Sequence, residues 1–189
     1  EKYLFRLYGS QEYINNIERW CLWLVDVKPD ELRKMPEVLK RVENVKNSRL
    51  NSTKLATVKL AEKPAIFAEI RQPNKDFLII PRVSSERMKY IPIGKLTKEF
   101  IVNDLVSIIP DSNIYHLGIL ASIMHMVWVK YVCGRLKSDF RYSNDIVYNN
   151  YPWPENPTEK QKETIEKAAQ KVLDTRAEFP NSSLADLYD

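Results

Sequence analysis

Short apolar runs alternate with polar segments along the first third of the chain, and their spacing changes from one segment to the next. Residues 18–25 are aromatic and β-branched throughout, which predicts a strand. After Pro36 the apolar residues recur at helical spacing with basic residues between them, and residues 53–62 predict a shorter helix that ends before Pro64. Pro29 and Pro36 each suit the first position of a helix.

The middle of the chain is predicted to be rich in β-structure. Four short apolar runs are bounded by proline, glycine or Asn-Lys-Asp, and they predict strands at residues 65–70, 77–80, 88–93 and 105–109. The runs at 77–80 and 90–93 frame a strongly polar segment. We therefore predict a β-hairpin whose tip carries side chains of both charges.

The last third is predicted to be helical. Residues 114–133 predict one buried helix, capped by Ser112 or Asn113 and ended by Gly134. Thr158 and Gln161 form a capping box, and an apolar stripe follows at helical spacing as far as residue 179. We expect an α+β fold: a small mixed or antiparallel sheet with packed helices in a domain over residues 1–154, and a helical C-terminal appendage over residues 155–189.

Charge and composition restrict the class of function. Residues 155–189 carry a net charge of −3 and the rest of the chain +7, so the body is basic. A basic body suggests a polyanionic partner, although surplus lysine is also typical of an ordinary solvated surface. The 4 glycines are too far apart to form a phosphate-binding loop. The 2 cysteines have neither disulfide nor zinc spacing, which suits a reducing cytosol. The most apolar stretch is too short for a membrane span.

The sequence contains no recognisable arrangement for catalysis. His116 and His125 lie on the predicted apolar helix, where a histidine is more often a packed residue than a metal ligand. No serine lies in a nucleophile turn. The segment "NNYPWP" at residues 149–154 lacks the consecutive prolines of the loop that holds a flipped adenine in amino-methyltransferases. We expect no enzymatic activity from these residues alone.

Three basic segments remain as candidates for nucleic-acid binding. The predicted hairpin tip mixes donors with acceptors, which suits the reading of base edges, although a solvated tip with compensating charges is the alternative. The second segment could bind phosphates or could complete the buried helix against its dipole. The third lies on one helix face and is equally typical of a solvated surface. Their residues are, in order, Arg82, Ser84, Ser85, Glu86, Arg87 and Lys89; Arg135, Lys137, Arg141, Tyr142 and Ser143; and Lys40, Arg41, Lys46, Arg49 and Lys54.

Three stretches together carry a resemblance to a known family. They are "RVSSERMKYIPIG", "YHLGILASIMHMVWVKYVCGRLKSDFRYSNDIVYNNYPWPE" and "PTEKQKETIEKAAQKVLDTRAEFPNSSLADLYD". They resemble the C-terminal part of MmeI-like bacterial DNA adenine methyltransferases, and the similarity covers nearly the whole chain. The most specific motifs are residues 122–126, "GRLKSDFRYS" and "IVYNNYPWP".

The resemblance implies a target recognition domain that binds double-stranded DNA beside the upstream methyltransferase domain of the same parent chain, in a restriction–modification protein. The family transfers methyl from S-adenosylmethionine to N6 of adenine, and the motifs for that reaction are missing from this sequence. We therefore expect no catalytic residue, metal or cofactor in this chain, with S-adenosylmethionine bound by the parent. The chain opens on Glu1 without methionine. We expect a fragment of a bacterial cytoplasmic protein that acts at the nucleoid.

The resemblance also implies roles for the polar segments. Base recognition is assigned to Ser84, Ser85, Glu86, Arg87 and Lys89, and DNA backbone contact to Arg82, Arg135, Lys137, Arg141, Tyr142 and Ser143. Where the family commonly has another arginine, this chain has Met88, which leaves the base read at that point open. The alternative hypothesis is a protein-interaction module that joins subunits of a larger DNA-modifying complex through its amphipathic C-terminal helix.

Overall fold

The computed structural model describes residues 2–188, and the chain forms two compact units. Within the described residues, the first combines residues 2–5 with Cys21–Arg71, and the second combines Arg6–Trp20 with residues 72–188. Both sides of the predicted domain boundary at residues 154 and 155 lie in the second unit, and that boundary stays a prediction. The chain ends Glu1 and Asp189, on which the expectation of a fragment was based, lie outside the described residues.

The first unit is mainly helical. Its helices are α2 (Pro29–Arg33), α3 (Pro36–Leu50) and α4 (Leu55–Lys59), the last continued by a 3-10 turn at Leu60–Glu62. Proline opens α2 and α3, as predicted, because its fixed φ and missing N–H suit a helix start.

Arg49, near the end of α3, explains why the strand predicted at residues 65–70 is absent. Its guanidinium donates to the carbonyl oxygens of Leu60, Lys63 and Ile66 at 2.8–2.9 Å. The backbone after the 3-10 turn is therefore held as a loop by a side chain, and the strand prediction is wrong. Arg49 was also a candidate for phosphate binding, but these three bonds give its guanidinium a structural role.

The strands of the described residues form three sheets of three strands each, in the orders β2–β1–β6, β5–β3–β7 and β4–β9–β8. The strands are β1 (Leu4–Tyr8), β2 (Trp20–Leu22), β3 (Phe77–Pro81), β4 (Val83–Ser84), β5 (Gly94–Leu96), β6 (Ile101–Val102), β7 (Val106–Pro110), β8 (Gly134–Leu136) and β9 (Asp139–Arg141). The strand predicted at residues 18–25 is thus confirmed only over its middle. The mixed and antiparallel α+β class is confirmed.

The strand β3 is the centre of the second unit. It is antiparallel to β5 and β7, and all five of its residues are buried. Because side chains alternate across a strand, Leu78 and Ile80 face the main core, while Phe77 and Ile79 face a smaller one. The strand predicted at residues 88–93 is wrong. Those residues approach the core in irregular conformation, and β3 pairs instead with the segment that follows them.

The remaining helices pack around this sheet. They are α1 (Ser10–Ile14), α5 (Ile114–Leu120), α6 (Ile123–Val132), α7 (Glu159–Ala177) and α8 (Leu184–Tyr188), together with a π-helical turn at Asn144–Tyr148. The single buried helix predicted at residues 114–133 is therefore two helices. The hydroxyl of Ser122 donates to the Ile119 carbonyl at 2.6 Å and accepts from the backbone N–H of His125, so Ser122 ends α5 and caps α6. Gly134 does not end a helix with a left-handed residue, since no glycine of the described chain has a positive φ.

The C-terminal helix α7 packs against α5 within the same unit. Its predicted capping box is confirmed, with Thr158 N–H donating to Gln161 Oε1 at 2.8 Å. A Cβ at Gly118 would lie 2.5 Å from Ile165 Cγ2 and 3.0 Å from the Ile165 carbonyl oxygen, so the two helices approach closely here. Ala169 is buried and Leu173 packs against the main core. The apolar stripe of α7 is therefore covered in part by its own chain, since Ala169 is buried, Ile165, Val172 and Leu173 are half-buried and Ala168 is exposed.

Among residues 2–188, no helix is both long enough and apolar enough to cross a membrane.

We expect Gly118→Ala to lower the free energy of unfolding by about 1–3 kcal/mol, because the added methyl group overpacks the α5–α7 contact. Urea unfolding measures the change. Ile165→Leu is the matched second variant, since leucine lacks the Cγ2 methyl, and it should recover part of the loss in the double variant. Where a helix is loosely packed, replacing glycine by alanine raises the free energy of unfolding instead. Higher stability of Gly118→Ala would therefore contradict the close approach.

Candidate nucleic-acid interface

The sheet β4–β9–β8 brings two of the three predicted segments together. Val83 lies opposite Arg141 and Ser84 opposite Phe140, in an antiparallel pair between β4 and β9. On its other side β9 pairs with β8 in a hairpin. The polar segment after β3 and the basic segment after α6 are distant in sequence, but they share one small sheet. The third segment lies largely on α3 of the first unit.

The segment predicted as a hairpin tip is a long anchored loop between β3 and β5. At its start the Arg82 N–H donates to the Leu105 carbonyl, and the Arg82 carbonyl accepts from the Tyr142 N–H at 2.8 Å. Farther along, Met88 and Ile91 are buried. Between these anchors a turn closed by the Met88 N–H and the Ser85 carbonyl presents the intervening side chains. The hairpin prediction is therefore corrected to a loop fixed at both ends.

The candidate base-reading residues on this loop differ in accessibility. Glu86, Arg87 and Lys89 are exposed, and Ser85 is half-buried with its hydroxyl accepting from the Arg87 N–H at 3.2 Å. Ser84 is only 4% exposed. The Ser84 hydroxyl faces the interior, so we remove this residue from the candidate contacts.

The β8–β9 hairpin carries the basic residues of the second segment. Its two-residue connection begins at Lys137, whose φ of 58° is left-handed, as at the first position of the turns that suit hairpins. Lys137 and Arg141 are exposed, and Arg82 and Ser143 are half-buried. The Arg135 guanidinium lies 3.9 Å from the centroid of the Phe140 ring and donates to the Ser138 carbonyl. Arg135 therefore covers the sheet, and this contact competes with phosphate binding.

Tyr142, a predicted DNA backbone contact, is buried. It is 2% exposed and His125 is 1% exposed, and the Tyr142 hydroxyl lies 3.0 Å from His125 Nε2. Burial lowers the pKa of His125 to about 4, partly offset by a hydrogen bond with the Leu120 backbone, and burial raises the pKa of Tyr142. Because its pKa is lowered, the His125 imidazole is neutral near pH 7, and its Nε2 shares one hydrogen bond with the Tyr142 hydroxyl. Tyr142 is a structural residue, and we remove it from the candidate contacts. The structural role predicted for His125 is confirmed.

The family-like motifs converge on the same buried region. The Tyr151 ring packs edge-on against the rings of His125 and Trp153, with ring centroids 5.1 Å and 5.6 Å apart. The Trp128 indole N–H donates to the Val147 carbonyl. The segment "NNYPWP" therefore belongs to an aromatic cluster that packs behind the sheet. Tyr151 and Trp153 of this segment are packing residues, so its resemblance to an adenine-holding loop is superficial.

Metal binding and anion binding place different needs on the residues around the β4–β9–β8 sheet. In the part of the chain from 2 to 188, no group of three or more histidine, cysteine or acidic side chains could hold a metal ion. The exposed side chains near the sheet are mostly cationic, with Glu86 as the exposed acidic residue of the loop. A cationic surface with one acceptor suits a polyanion whose bases are also read.

The glycines do not fit a cofactor loop for S-adenosylmethionine. A Cβ at Gly9, Gly94 or Gly118 would lie within 3.0 Å of a neighbouring atom, so close packing explains all three. None of the described glycines adopts a left-handed conformation. The residues present therefore do not form the nucleotide-binding turn that a methyl donor would need.

Comparison with known proteins gives two family models that match this chain. The family model "MmeI, target recognition domain" matches residues 1–155, and "MmeI, C-terminal domain" matches residues 157–189. The chain is 42% identical over 187 residues to "DNA methyltransferase A" of Bacillus subtilis (strain 168), covering 99% of this chain and 21% of the relative. A solved structure of the type IIL restriction-modification enzyme MmeI in complex with DNA matches with a TM-score of 0.95 and 44% identity, covering 100% of this chain and 25% of that one. The chain thus spans about a fifth to a quarter of these proteins.

We expect the buried pair of His125 and Tyr142 to make stability depend on pH. The pKa of His125 in the folded protein is about 4 against the ordinary histidine value of 6.5, so the unfolded state binds the proton first as pH falls. The contribution of neutral His125 to the free energy of unfolding amounts to about 3 kcal/mol. It is complete above pH 6.5 and is lost by pH 4. Urea unfolding at pH 7 and at pH 4 measures this loss.

His125→Gln is the comparison variant for this pH dependence, because glutamine keeps a polar side chain that does not titrate. Its loss of stability between pH 7 and pH 4 should be smaller than that of the unaltered protein. Equal losses in the two proteins would show that His125 does not titrate with a lowered pKa.

Proposed function

Because the chain belongs to the MmeI family, in which it corresponds to the target recognition domain and the C-terminal domain, we propose that it recognises a specific sequence in double-stranded DNA. The observation that carries this proposal is the pairing of β4 with β9. It joins a rigidly anchored loop of mixed polar side chains to a basic hairpin. Such a combination suits base reading by one element and phosphate binding by its neighbour.

The proposed base contacts come from the anchored loop. Arg87 and Lys89 can donate to guanine edges, Glu86 can accept from cytosine, and Ser85 can do either. The buried residues at both ends of the turn limit its freedom, which reduces the ordering cost of binding. Met88, which stands where the family commonly has arginine, is buried. We therefore assign it to anchoring rather than to reading.

The proposed backbone contacts come from the hairpin and the start of the loop. Lys137 and Arg141 are exposed cations, and Arg82 and Ser143 lie nearby in the chain segments that β4 and β9 join. Ser84 and Tyr142 are not included because they are buried, and Arg135 is not included because its guanidinium contacts the Phe140 ring. Phosphate contacts of this kind fix the register of the protein on the duplex without discriminating between sequences.

We propose that methylation of adenine at N6 from S-adenosylmethionine is carried out elsewhere in the parent chain. The relatives are four to five times longer than the matched segment, which leaves ample length for a methyltransferase domain. The recognition domain would hold the duplex in register while that domain extrudes its target base. This fragment would not be an enzyme on its own.

We expect Arg87→Ala, in the full-length parent protein, to weaken binding to the cognate duplex by about 1–3 kcal/mol and to relax preference at one base pair. The reason is the loss of a donor to a base edge. Fluorescence anisotropy with duplexes altered one pair at a time measures both effects. Lys167→Ala, an exposed lysine on α7, is the control for loss of one positive charge and should bind as the unaltered protein does.

Lys137→Asn should behave differently from Arg87→Ala. It should weaken cognate and non-cognate duplexes alike and lower the slope of log affinity against log salt by about 1, because one phosphate contact is lost. Asparagine tolerates the left-handed φ of this position, so the turn is kept. If the two variants lose affinity uniformly across all duplexes, the division between base reading and phosphate binding is wrong.

The isolated chain of residues 1–189 should give no heat of binding with S-adenosylmethionine in calorimetry, while the full-length parent should bind it. The described residues lack a cofactor turn, as their glycines show. Saturable binding to the isolated chain would contradict the assignment of the methyl donor to another domain.

A further inference from the structure

No contact within the described fold explains why residue 134, at the start of β8, is a glycine. A Cβ at this position would meet only the Arg141 carbonyl oxygen within 4 Å, at 3.8 Å, which is an ordinary contact. Its φ is not positive, so a residue with a side chain could adopt the same backbone. The other three glycines are required by close neighbours. Gly134 alone among the four could carry a side chain at no steric cost to the described structure.

A glycine in a strand has a cost in stability. It loses more backbone entropy on folding than any other residue and packs no side chain against its neighbours. Where it persists in a strand it often marks a bulge or the close approach of another backbone or ligand. The register of β8 with β9 runs regularly from Gly134 to Leu136, so a bulge is excluded at this position. Of the two usual reasons for a glycine in a strand, the one that remains is the close approach of a group from outside the sheet.

The strand register shows which face of the sheet Gly134 occupies. Residues directly opposite each other share a face, and successive residues alternate. Ser84, Phe140 and Arg135 form one row across the sheet, and the first two are buried, so this is the inner face. Val83, Arg141 and Gly134 form the next row and lie on the outer face.

The outer row has a shape and a charge that suit one kind of partner. Arg141, on the central strand, is exposed, and on its β8 side the neighbouring position has no side chain. A guanidinium beside a gap can bind an oxyanion while the bulk of the ligand lies over the glycine. The hairpin turn adds the exposed Lys137 at the end of the same element. Leu136, which is 48% exposed, and the half-buried Asp139 lie on the same face nearer the turn, so the part of the face that suits a phosphate is the Gly134–Arg141 end.

We propose that the DNA sugar–phosphate backbone lies against the outer face of the β4–β9–β8 sheet, with Gly134 as the point of closest approach and Arg141 as a phosphate ligand. This inference rests on the proposed function and adds to it a surface, a face and a steric requirement. Arg135 is exposed, but its contact with the Phe140 ring competes with binding to a phosphate. It lies on the inner row and its guanidinium is placed over the Phe140 ring.

The inference is tested with Gly134→Val in the full-length parent protein. Valine favours strands, so the urea midpoint should stay the same or rise. Affinity should fall at least tenfold for cognate and non-cognate duplexes alike, because the added side chain holds the phosphate chain away from the sheet. Gly134→Ala should lose less affinity than Gly134→Val, in proportion to the smaller side chain.

Arg141→Met and Arg135→Met form a matched pair, since both remove one arginine charge from adjacent strands of one hairpin. Arg141→Met should lower the salt slope of binding by about 1, whereas Arg135→Met should leave that slope unchanged and lower the urea midpoint. Equal changes of the salt slope in the two variants would overturn the assignment of the outer face.

The remaining outcomes separate this inference from the proposed function. If Gly134→Val binds DNA normally while Arg87→Ala and Lys137→Asn show their expected losses, only the close approach at Gly134 is wrong. If none of the variants changes DNA binding, the proposed function itself fails. If Gly134→Val lowers the urea midpoint without DNA, the outer face is covered by another part of the parent chain, and the inference is overturned.

Discussion

The main-chain pairing of β4 with β9 is the constraint on which the candidate interface depends. The two strands are short, and β4 has only two residues. Their pairing is reinforced beyond the strands by the hydrogen bond from the Tyr142 N–H to the Arg82 carbonyl. The next side chain along, Tyr142, is fixed in turn by His125 of α6. A chain of backbone and buried side-chain bonds therefore ties the polar loop to the helical core.

Much of the fold follows from local sequence rules. Proline at helix starts, the capping box at Thr158, the strand at Phe77–Pro81 and the apolar stripe of α7 all appear where the pattern indicates. Each of these signals acts within a few residues of itself. The break between α5 and α6 also has a local signal, the hydroxyl of Ser122, but the continuous apolar pattern on both sides concealed it.

The errors come from contacts between distant residues. An apolar run at residues 88–93 reads as a strand, yet its residues pack as an irregular loop because β5 occupies the pairing edge of β3. Ser84 and Tyr142 read as surface residues in polar segments, and the pairing with β9 and the bond to His125 place them inside. Sequence alone identified both polar segments but gave no sign that they are neighbours, since sheet order between short strands depends on the whole tertiary structure.

The anchoring of the polar loop does not depend on the side chains of its exposed turn. Its ends are held by carbonyl and amide groups that every residue except proline supplies, and by two inward apolar side chains. The exposed side chains of Glu86 and Lys89 are not part of these anchors, so substitutions there leave the anchoring bonds in place. A scaffold of this kind allows the side chains on the turn to be changed while the main chain that holds them and the aromatic cluster keep their positions.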